Sequence, residues 1–344
     1  MLISNEQYKD CFRHYAPYAC VVRSKNIFYF ICQQSQSDPA GFKEITQVVS
    51  YFSDEPEPVD RTGFTKLEGF SRSCGDIAYL PKEQLILSSQ MNSIYVLGSG
   101  EERLEDELEA DINGPSRGIT KRIKTLGRYA YMVTSCRGVC RRIGVNEWES
   151  LCPDLHLTPE QMPKSAREER DFTKAWGFND IDGFGEEDFY AVGGLGDVWH
   201  YSNGEWEQCG FPTNQRLYNV CCAPNGDVYI AGHGGQLYKG SKHNWELAAH
   251  TVTTLWFEDM VWYEDALYAT SEYGVYVLNG NQWERPTDFP PEAQTSSGSM
   301  SVRDGVLLIA GIYGAVFKKE GQWQVIFLRQ EGDELITQQR LEDE

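Results

Sequence analysis

Residues 188–207 read DFYAVGGLGDVWHYSNGEWE. The phrase returns as DVYIAGHGGQLYKGSKHNWE (227–246), ALYATSEYGVYVLNGNQWE (266–284) and VLLIAGIYGAVFKKEGQWQ (306–324). From Trp206 through Trp245, Trp283 and Trp323 the steps are 39, 38 and 40 residues. A fixed period near 40 built from short β-rich runs marks a repeat architecture, in which no unit buries its apolar surface alone. Inside the unit the period is two: Asp227-Val228-Tyr229-Ile230-Ala231 is β-branched and aromatic and stops at Gly232. The spaced glycines Gly193/Gly196, Gly232/Gly235 and Gly311/Gly314 fall where one strand hands over to the next. Glycine there is read as supplying the positive φ of a tight hairpin. A second turn, such as Asn203-Gly204 or Asn279-Gly280, precedes each tryptophan, and a further apolar run such as LYNVCCAP (217–224) lies upstream.

Each unit therefore reads as four short antiparallel strands, and the chain as an all-β propeller of such blades. The repeated tryptophan is read as packing on the outer strand, wedged between neighbouring blades. A weaker copy, RYAYMVTSCRGVCRRIGVNEWE (128–149), ends at Trp148, and another, GDIAYLPKEQLILSSQMNSIYVLG (75–98), lacks the closing tryptophan. YACVVRSKNIFYFICQQ (18–34) with EITQVVSYF (44–52) supplies one more sheet. The count is seven blades, with six as the alternative. Trp148 and Trp206 stand 58 apart, and the excess holds Thr158-Pro159-Glu160, a helix-start pattern. A short helical insertion is expected near 158–170. The whole chain, 1–344, reads as one propeller domain, with irregular blades over 1–127, regular blades over 128–327 and an acidic C-terminal tail at 330–344.

Asp plus Glu number 51 against 31 Lys plus Arg, a formal net charge of −20. That balance argues against direct nucleic-acid binding, which needs a basic footprint, and favours a basic partner. No apolar run reaches 18 residues, so no membrane span is expected. The start, MLISNEQYKD, lacks a charged segment followed by an apolar core, so a cytoplasmic location is expected. The ten cysteines are scattered, apart from the pair Cys221-Cys222, and Cys136 and Cys140 flank a predicted turn. They read as free thiols in a reducing compartment, and no metal site or cofactor is expected.

The acid is concentrated. EERLEDELEAD (101–111) holds seven carboxylates in eleven residues, and NDIDGFGEED (179–188) bridges two strands of the Trp206 unit. Loops from different blades that gather such charge accelerate encounter with a basic protein. The candidate contacts are Glu101, Glu102, Glu105, Asp106, Glu107 and Glu109, then Asp180, Asp182, Glu186 and Glu187, with the insertion around 160–170 as a third surface.

No nucleophile elbow, H-E-x-x-H, Walker loop or dinucleotide fingerprint is present. The six histidines fall in different units at no metal spacing; His200 and His233 read as surface or turn residues. No carboxylate pair stands out for glycoside hydrolysis. Catalytic residues are therefore not assigned.

The pattern Y-A-V-G-G-L-G-D-V-W with its later G-E-W resembles the propellers related to bacterial neuraminidase repeats and to the photosystem II assembly factor. The likeness covers 128–324 well and 18–127 weakly. It departs from the neuraminidase type because the S-x-D-x-G-x-x-W box is preserved in no unit, and the sialidase arginine triad and tyrosine cannot be placed. The GH…WD pattern of WD40 repeats is also missing. A looser likeness, of kind rather than motif, is to propeller immunity proteins of polymorphic toxin and type VI secretion systems. It implies a non-enzymatic, monomeric protein that captures one basic toxin or effector, such as a nuclease. A glycosidase- or lyase-type enzyme with a site on the central axis is the alternative, and an assembly or scaffold factor a third.

Overall fold

The structure, a computed structural model, describes residues 1–34, 44–108, 114–152, 164–165, 167–168, 176–249 and 256–343. Its strands form seven four-stranded antiparallel sheets, each made of four consecutive strands in chain order. This is the sheet inventory of a seven-bladed β-propeller, so the count is seven and not six. The expected helix near 158–170 and Glu109 lie outside the described residues, save for 164–165 and 167–168 of the former.

The chain divides into two compact units. One comprises residues 1–74, 258–279 and 284–344. Its first sheet is β1 (Tyr15–Ser24), β2 (Ile27–Gln34), β3 (Ile45–Phe52) and β4 (Thr62–Glu68). The sixth is β21 (Asp259–Tyr263), β22 (Ala266–Ser271) and β23 (Gly274–Asn279), followed by β24 (Gln282–Glu284). The seventh is β25 (Ser299–Arg303), β26 (Val306–Gly311), β27 (Gly314–Lys319) and β28 (Gln322–Leu328). Helix α1 (Asn5–Cys11) starts on a capping box, with the Ser4 hydroxyl accepting from Gln7 N at 3.2 Å and the Gln7 side chain accepting from Ser4 N at 2.9 Å. The core of this unit joins Phe12, Phe28, Phe30, Phe317 and Phe327, with Phe12 stacked on Phe327 at 4.1 Å.

The stretch expected as an acidic tail is helix α2 (Arg329–Asp343). It is held because Ile336 is buried and the Tyr8 hydroxyl donates to Asp333 at 3.0 Å. Gly332 lies against the Tyr8 ring, leaving no room for a side chain. Arg329 donates to the carbonyls of Ile312, Phe12, Arg13 and Tyr15, and Leu2 N–H reaches Ile326 O at 3.0 Å. The two ends of the chain are thus fastened to each other.

The other unit, residues 75–257 with 280–283, holds four sheets. The second sheet is β5 (Cys74–Ala78), β6 (Gln84–Ser88), β7 (Ile94–Gly98) and β8 (Glu101–Glu105). The third is β9 (Thr120–Leu126), β10 (Tyr129–Thr134), β11 (Gly138–Gly144) and β12 (Glu147–Ser150). The fourth is β13 (Phe178–Gly185), β14 (Asp188–Gly193), β15 (Asp197–Ser202) and β16 (Glu205–Gln208). The fifth is β17 (Leu217–Cys222), β18 (Val228–Gly232), β19 (Leu237–Ser241) and β20 (Asn244–Ala249).

Trp206, on β16, packs with Phe178, Phe189 and Tyr201 of its own sheet in a core that also holds Leu126, Tyr131 and Val133 of the third. Its indole N–H donates to Leu151 O at 2.6 Å. Trp245 packs likewise against Tyr190 of the preceding sheet. The wedge read from the sequence is what these side chains form.

The first strand of each sheet is an edge strand, whose outward N–H groups need acceptors. Within each unit, side chains on the first strand of the preceding sheet supply several of them. Asp76 accepts from Thr125 N at 2.8 Å, Asp180 from Val220 N at 2.9 Å and Asp182 from Cys222 N at 2.8 Å. In the other unit Asp259 accepts from Met300 N at 2.8 Å, and Ser301 from Val22 N at 2.9 Å.

One detail of the turns differs from the sequence reading. In the Gly193–Gly196 turn the φ of Gly196 is +74°, as expected, but Gly193 is not left-handed. A Cβ on Gly193 would instead collide with the Gly177 carbonyl. The first glycine there provides space, and the second provides conformation.

Candidate protein-binding site

The acid-rich stretch at 101–107 begins as a strand. β8 pairs with β7, with Gly98 opposite Glu101 and Leu97 opposite Glu102. Two positive-φ residues, Ser99 and Gly100, precede it, as Asn203 and Gly204 precede β16. Glu102 therefore stands where Trp206 stands, opposite Tyr201, and where Trp323 stands, opposite Lys318. The signal is visible in the sequence, since Gly100-Glu101-Glu102 aligns with Gly204-Glu205-Trp206.

Alternation then sorts the side chains. Glu102 and Leu104 face outward, while Glu101, Arg103 and Glu105 turn inward and pair. Glu101 takes the Lys82 ammonium and the Arg103 guanidinium, and Gln84 donates to it at 3.1 Å. The contact with Lys82, then those with Gln84 and Arg103, lowers its carboxyl to about 2. Arg103 also reaches Glu105 at 3.1 Å, and Glu105 receives Arg142 at 2.6 and 3.1 Å. The side chains of Glu105 and Arg142 are both 0% exposed. Lys82, Glu101, Arg103, Glu105 and Arg142 thus form a chain of alternating charge, and the stretch is less negative to an outside partner than its composition implies. Glu105 departs from the expectation of a surface contact because the third sheet covers it.

Beyond β8, Asp106 and Glu107 are exposed. Asp106 N donates to Asn146 at 2.9 Å, and Glu107 accepts from Ser93 at 3.0 Å. Glu102 accepts from the Tyr95 hydroxyl at 2.9 Å while staying exposed.

Asp180 is buried and Asp182 nearly so, as the edge acceptors described above. Their second oxygens face cations on β9: Arg122 lies 3.5 Å from Asp180 and Lys124 3.2 Å from Asp182. Burial works against the Lys124 ammonium, but Asp182 and Asp180 outweigh it and keep it charged. These carboxylates join strands and are turned away from solvent.

Glu186 and Glu187 form the β13–β14 turn. Glu186 accepts from Arg128 N and Nε at 3.1 and 3.2 Å, and its carbonyl accepts from the Tyr131 hydroxyl at 2.9 Å. Glu187 is exposed, with Arg141 at 3.3 Å. The ten candidate acids are therefore not one cluster. Among the described residues Glu102, Asp106, Glu107 and Glu187 face solvent, Glu101 and Glu186 are held in half-buried pairs, and Glu105, Asp180 and Asp182 serve the fold.

Sequence reasoning missed Arg142 and the pair Arg137–Asp197, bonded at 2.7 and 2.6 Å with both side chains buried. Arg137 occupies a turn at φ +56° between Ser135 and Gly138, where a polar tip was the natural reading. None of the ten cysteines is in a disulfide. Among the described residues no group of acids, histidines and cysteines has the arrangement to hold a metal ion, and no helix is long and apolar enough to cross a membrane.

No protein-family model matches the chain. Over 231 residues it is 29% identical to the immune protein Tsi7 of Pseudomonas aeruginosa, covering 67% of this chain and 72% of that protein. Solved structures similar in fold include the WD40 β-propeller domain of Doa1, at a TM-score of 0.61 and 11% identity over 90% of this chain and 94% of that one. YCF48 bound to a D1 peptide gives 0.59 and 13% over 92% and 95%. YCF48 from Cyanidioschyzon merolae gives 0.60 and 12% over 90% and 96%. At such identities the likeness is one of fold, and the fold is the propeller that the repeat implied.

Proposed function

We propose that this chain is an immunity protein: a non-enzymatic, protein-binding propeller that neutralises a toxic effector by covering the basic surface of its active site. The observation that carries the reading is the match to Tsi7 over two thirds of the chain. The chemistry supports it. A nuclease grips phosphates with cations, and solvent-facing carboxylates occupy such a surface by mimicking that charge. In this reading Glu102, Asp106, Glu107 and Glu187, which face solvent, make those contacts, with Glu109 continuing the run in sequence. The protein acts in the cytoplasm as a monomer that meets one partner, in the setting of type VI secretion or a related toxin–antitoxin system.

The test co-expresses the chain with the toxin domain encoded immediately upstream of its gene. Growth should be rescued, and a stable complex should form whose affinity falls steeply with salt. Charge reversal at Glu102, Asp106, Glu107 and Glu187 together should lower the association rate at least about tenfold at low salt. An adjacent frame without a toxic domain, or toxicity unchanged by co-expression, removes the reading. Unchanged association after charge reversal removes this contact map.

A further inference from the structure

Four tryptophans stand outside the repeat series, and two of them are half exposed. Trp176 and Trp256 precede β13 and β21, and they remain 37% and 40% exposed. Leu195, at the tip of the Gly193–Gly196 turn, is 52% exposed. The turn's needs for space and for positive φ are met by its glycines, and neither calls for a large apolar side chain at Leu195. Exposed side chains of this size, gathered in one place, mark an interaction surface.

They are gathered. Leu195 forms an isolated bridge with Arg216, and Gly196 N donates to Gln215 O at 2.9 Å. The Arg216 guanidinium lies 5.4 Å from the centre of the Tyr218 ring, and Tyr218 stacks on Trp256 at 5.4 Å and 18°. His233 lies 6.5 Å from Trp256 at 27°, and its N–H bonds the Arg216 carbonyl at 2.9 Å. Arg137, bonded to Asp197 just after this turn, sits between Trp176 and Trp199, at 4.5 and 4.8 Å. Gly177 N and the Trp199 indole both donate to Asp197, which fixes that end. Tryptophan, tyrosine and arginine are the residues that dominate binding energy, and rings already stacked lose little freedom when a partner docks.

Charge selects the occupant. Asp197 neutralises Arg137 by its two hydrogen bonds. Arg216 has a 3.4 Å contact with the Asn179 amide oxygen and the Tyr218 ring beside it. In a chain of net charge −20, Arg216 brings a guanidinium to the ring cluster. We infer that Trp176, Leu195, Arg216, Tyr218, His233 and Trp256 form a docking surface for a protein segment in which an apolar side chain lies beside a carboxylate. The apolar group packs between Leu195 and Trp256, and the carboxylate pairs with Arg216. The surface is separate from the solvent-facing acids, and the inference rests on the protein-binding reading without requiring that the partner be a toxin.

The test pans a random-peptide phage library on the intact protein. Selected peptides should carry Asp or Glu within a few positions of Leu, Ile, Phe or Trp. As synthetic peptides they should bind the parent at least about tenfold more tightly than Trp256→Ala or Arg216→Gln. Leu195→Ser serves as an independent variant whose exposed site leaves folding intact, and a melting curve accompanies each. Peptides with a basic consensus, or peptides that bind all three variants as they bind the parent, overturn the proposal. So does a dimer of the parent, seen by sedimentation and abolished by Trp256→Ala, because the occupant is then a second copy. Failed toxin rescue with an intact acidic-apolar consensus removes only the immunity reading; rescue without that consensus removes only this one.

Discussion

Glu105 and Arg142 meet with both side chains closed off from solvent, Oε1 accepting from Nη2 at 2.6 Å and Oε2 from Nε at 3.1 Å. The pair ties β8 to β11, so charge joins the second sheet to the third. Removing one partner of such a pair strands the other. Glu105→Ala is expected to lower stability by about 3–5 kcal/mol in guanidinium unfolding, while Glu105→Leu with Arg142→Met recovers most of the loss. A Glu105→Ala protein as stable as the parent would show that the pair contributes nothing to the fold.

Asp180 accepts the Val220 amide across a sheet junction. Asp180→Ala leaves that N–H without its acceptor, at a cost of about 1–3 kcal/mol. Hydrogen exchange at Val220 should accelerate before exchange within the fifth sheet does. Uniform acceleration throughout that sheet would place the effect elsewhere.

Gly193 and Gly232 occupy the same position of the repeat but differ in surroundings. A Cβ on Gly193 meets the Gly177 carbonyl, whereas one on Gly232 finds its nearest neighbour at 3.5 Å. Gly193→Ala should destabilise by about 1–3 kcal/mol through overpacking. Gly232→Ala should be neutral, or stabilising by up to about 1 kcal/mol through the unfolded chain. Thermal melts of the two variants decide it; equal losses would refute the spatial argument.

Glu101 has its carboxyl lowered to about 2 by Lys82, Gln84 and Arg103. A depressed carboxylate contributes stability above its unfolded value near 4.3, and that contribution fades as pH falls from there through the folded value. Carbon-detected NMR titration should find Glu101 still ionised at pH 4. Lys82→Ala should move its midpoint upward toward the ordinary range. A midpoint above 4 in the parent would mean that the pairing is not maintained in solution.

The fold was legible because the propeller writes its needs at fixed intervals. Trp206, Trp245 and Trp323 mark the fourth strands, and Gly196, Gly235 and Asn203-Gly204 mark turns by the positive φ they take. The candidate site was legible only in part. Composition showed where acids are dense but not which side of a strand they take. Glu102 at the tryptophan position faces solvent, and Glu105 three residues on is sealed against Arg142. Asp180 and Asp182 resembled loop acids because GFGEED follows them, yet the strand begins at Phe178 and uses both as acceptors for its neighbour. Partners so far away in sequence leave no local trace. The ring cluster at Trp256 went unread for the same reason, since Leu195 and His233 reach Arg216, and Tyr218 reaches Trp256, from separate stretches of the chain.

The fastening of residues 2–15 to residues 326–329 sets an order on synthesis. Six of the seven sheets consist of strands already adjacent on the ribosome's product before β28 exists. Leu2, Phe12, Arg13 and Tyr15 wait for Ile326 and Arg329. Until translation reaches them, α1 has neither Phe327 nor the turn of α2 that carries Gly332 to lie against. A premature stop before Ile326 would therefore show its damage first at the amino terminus, far in sequence from the lesion, where a protease would find the leading segment open.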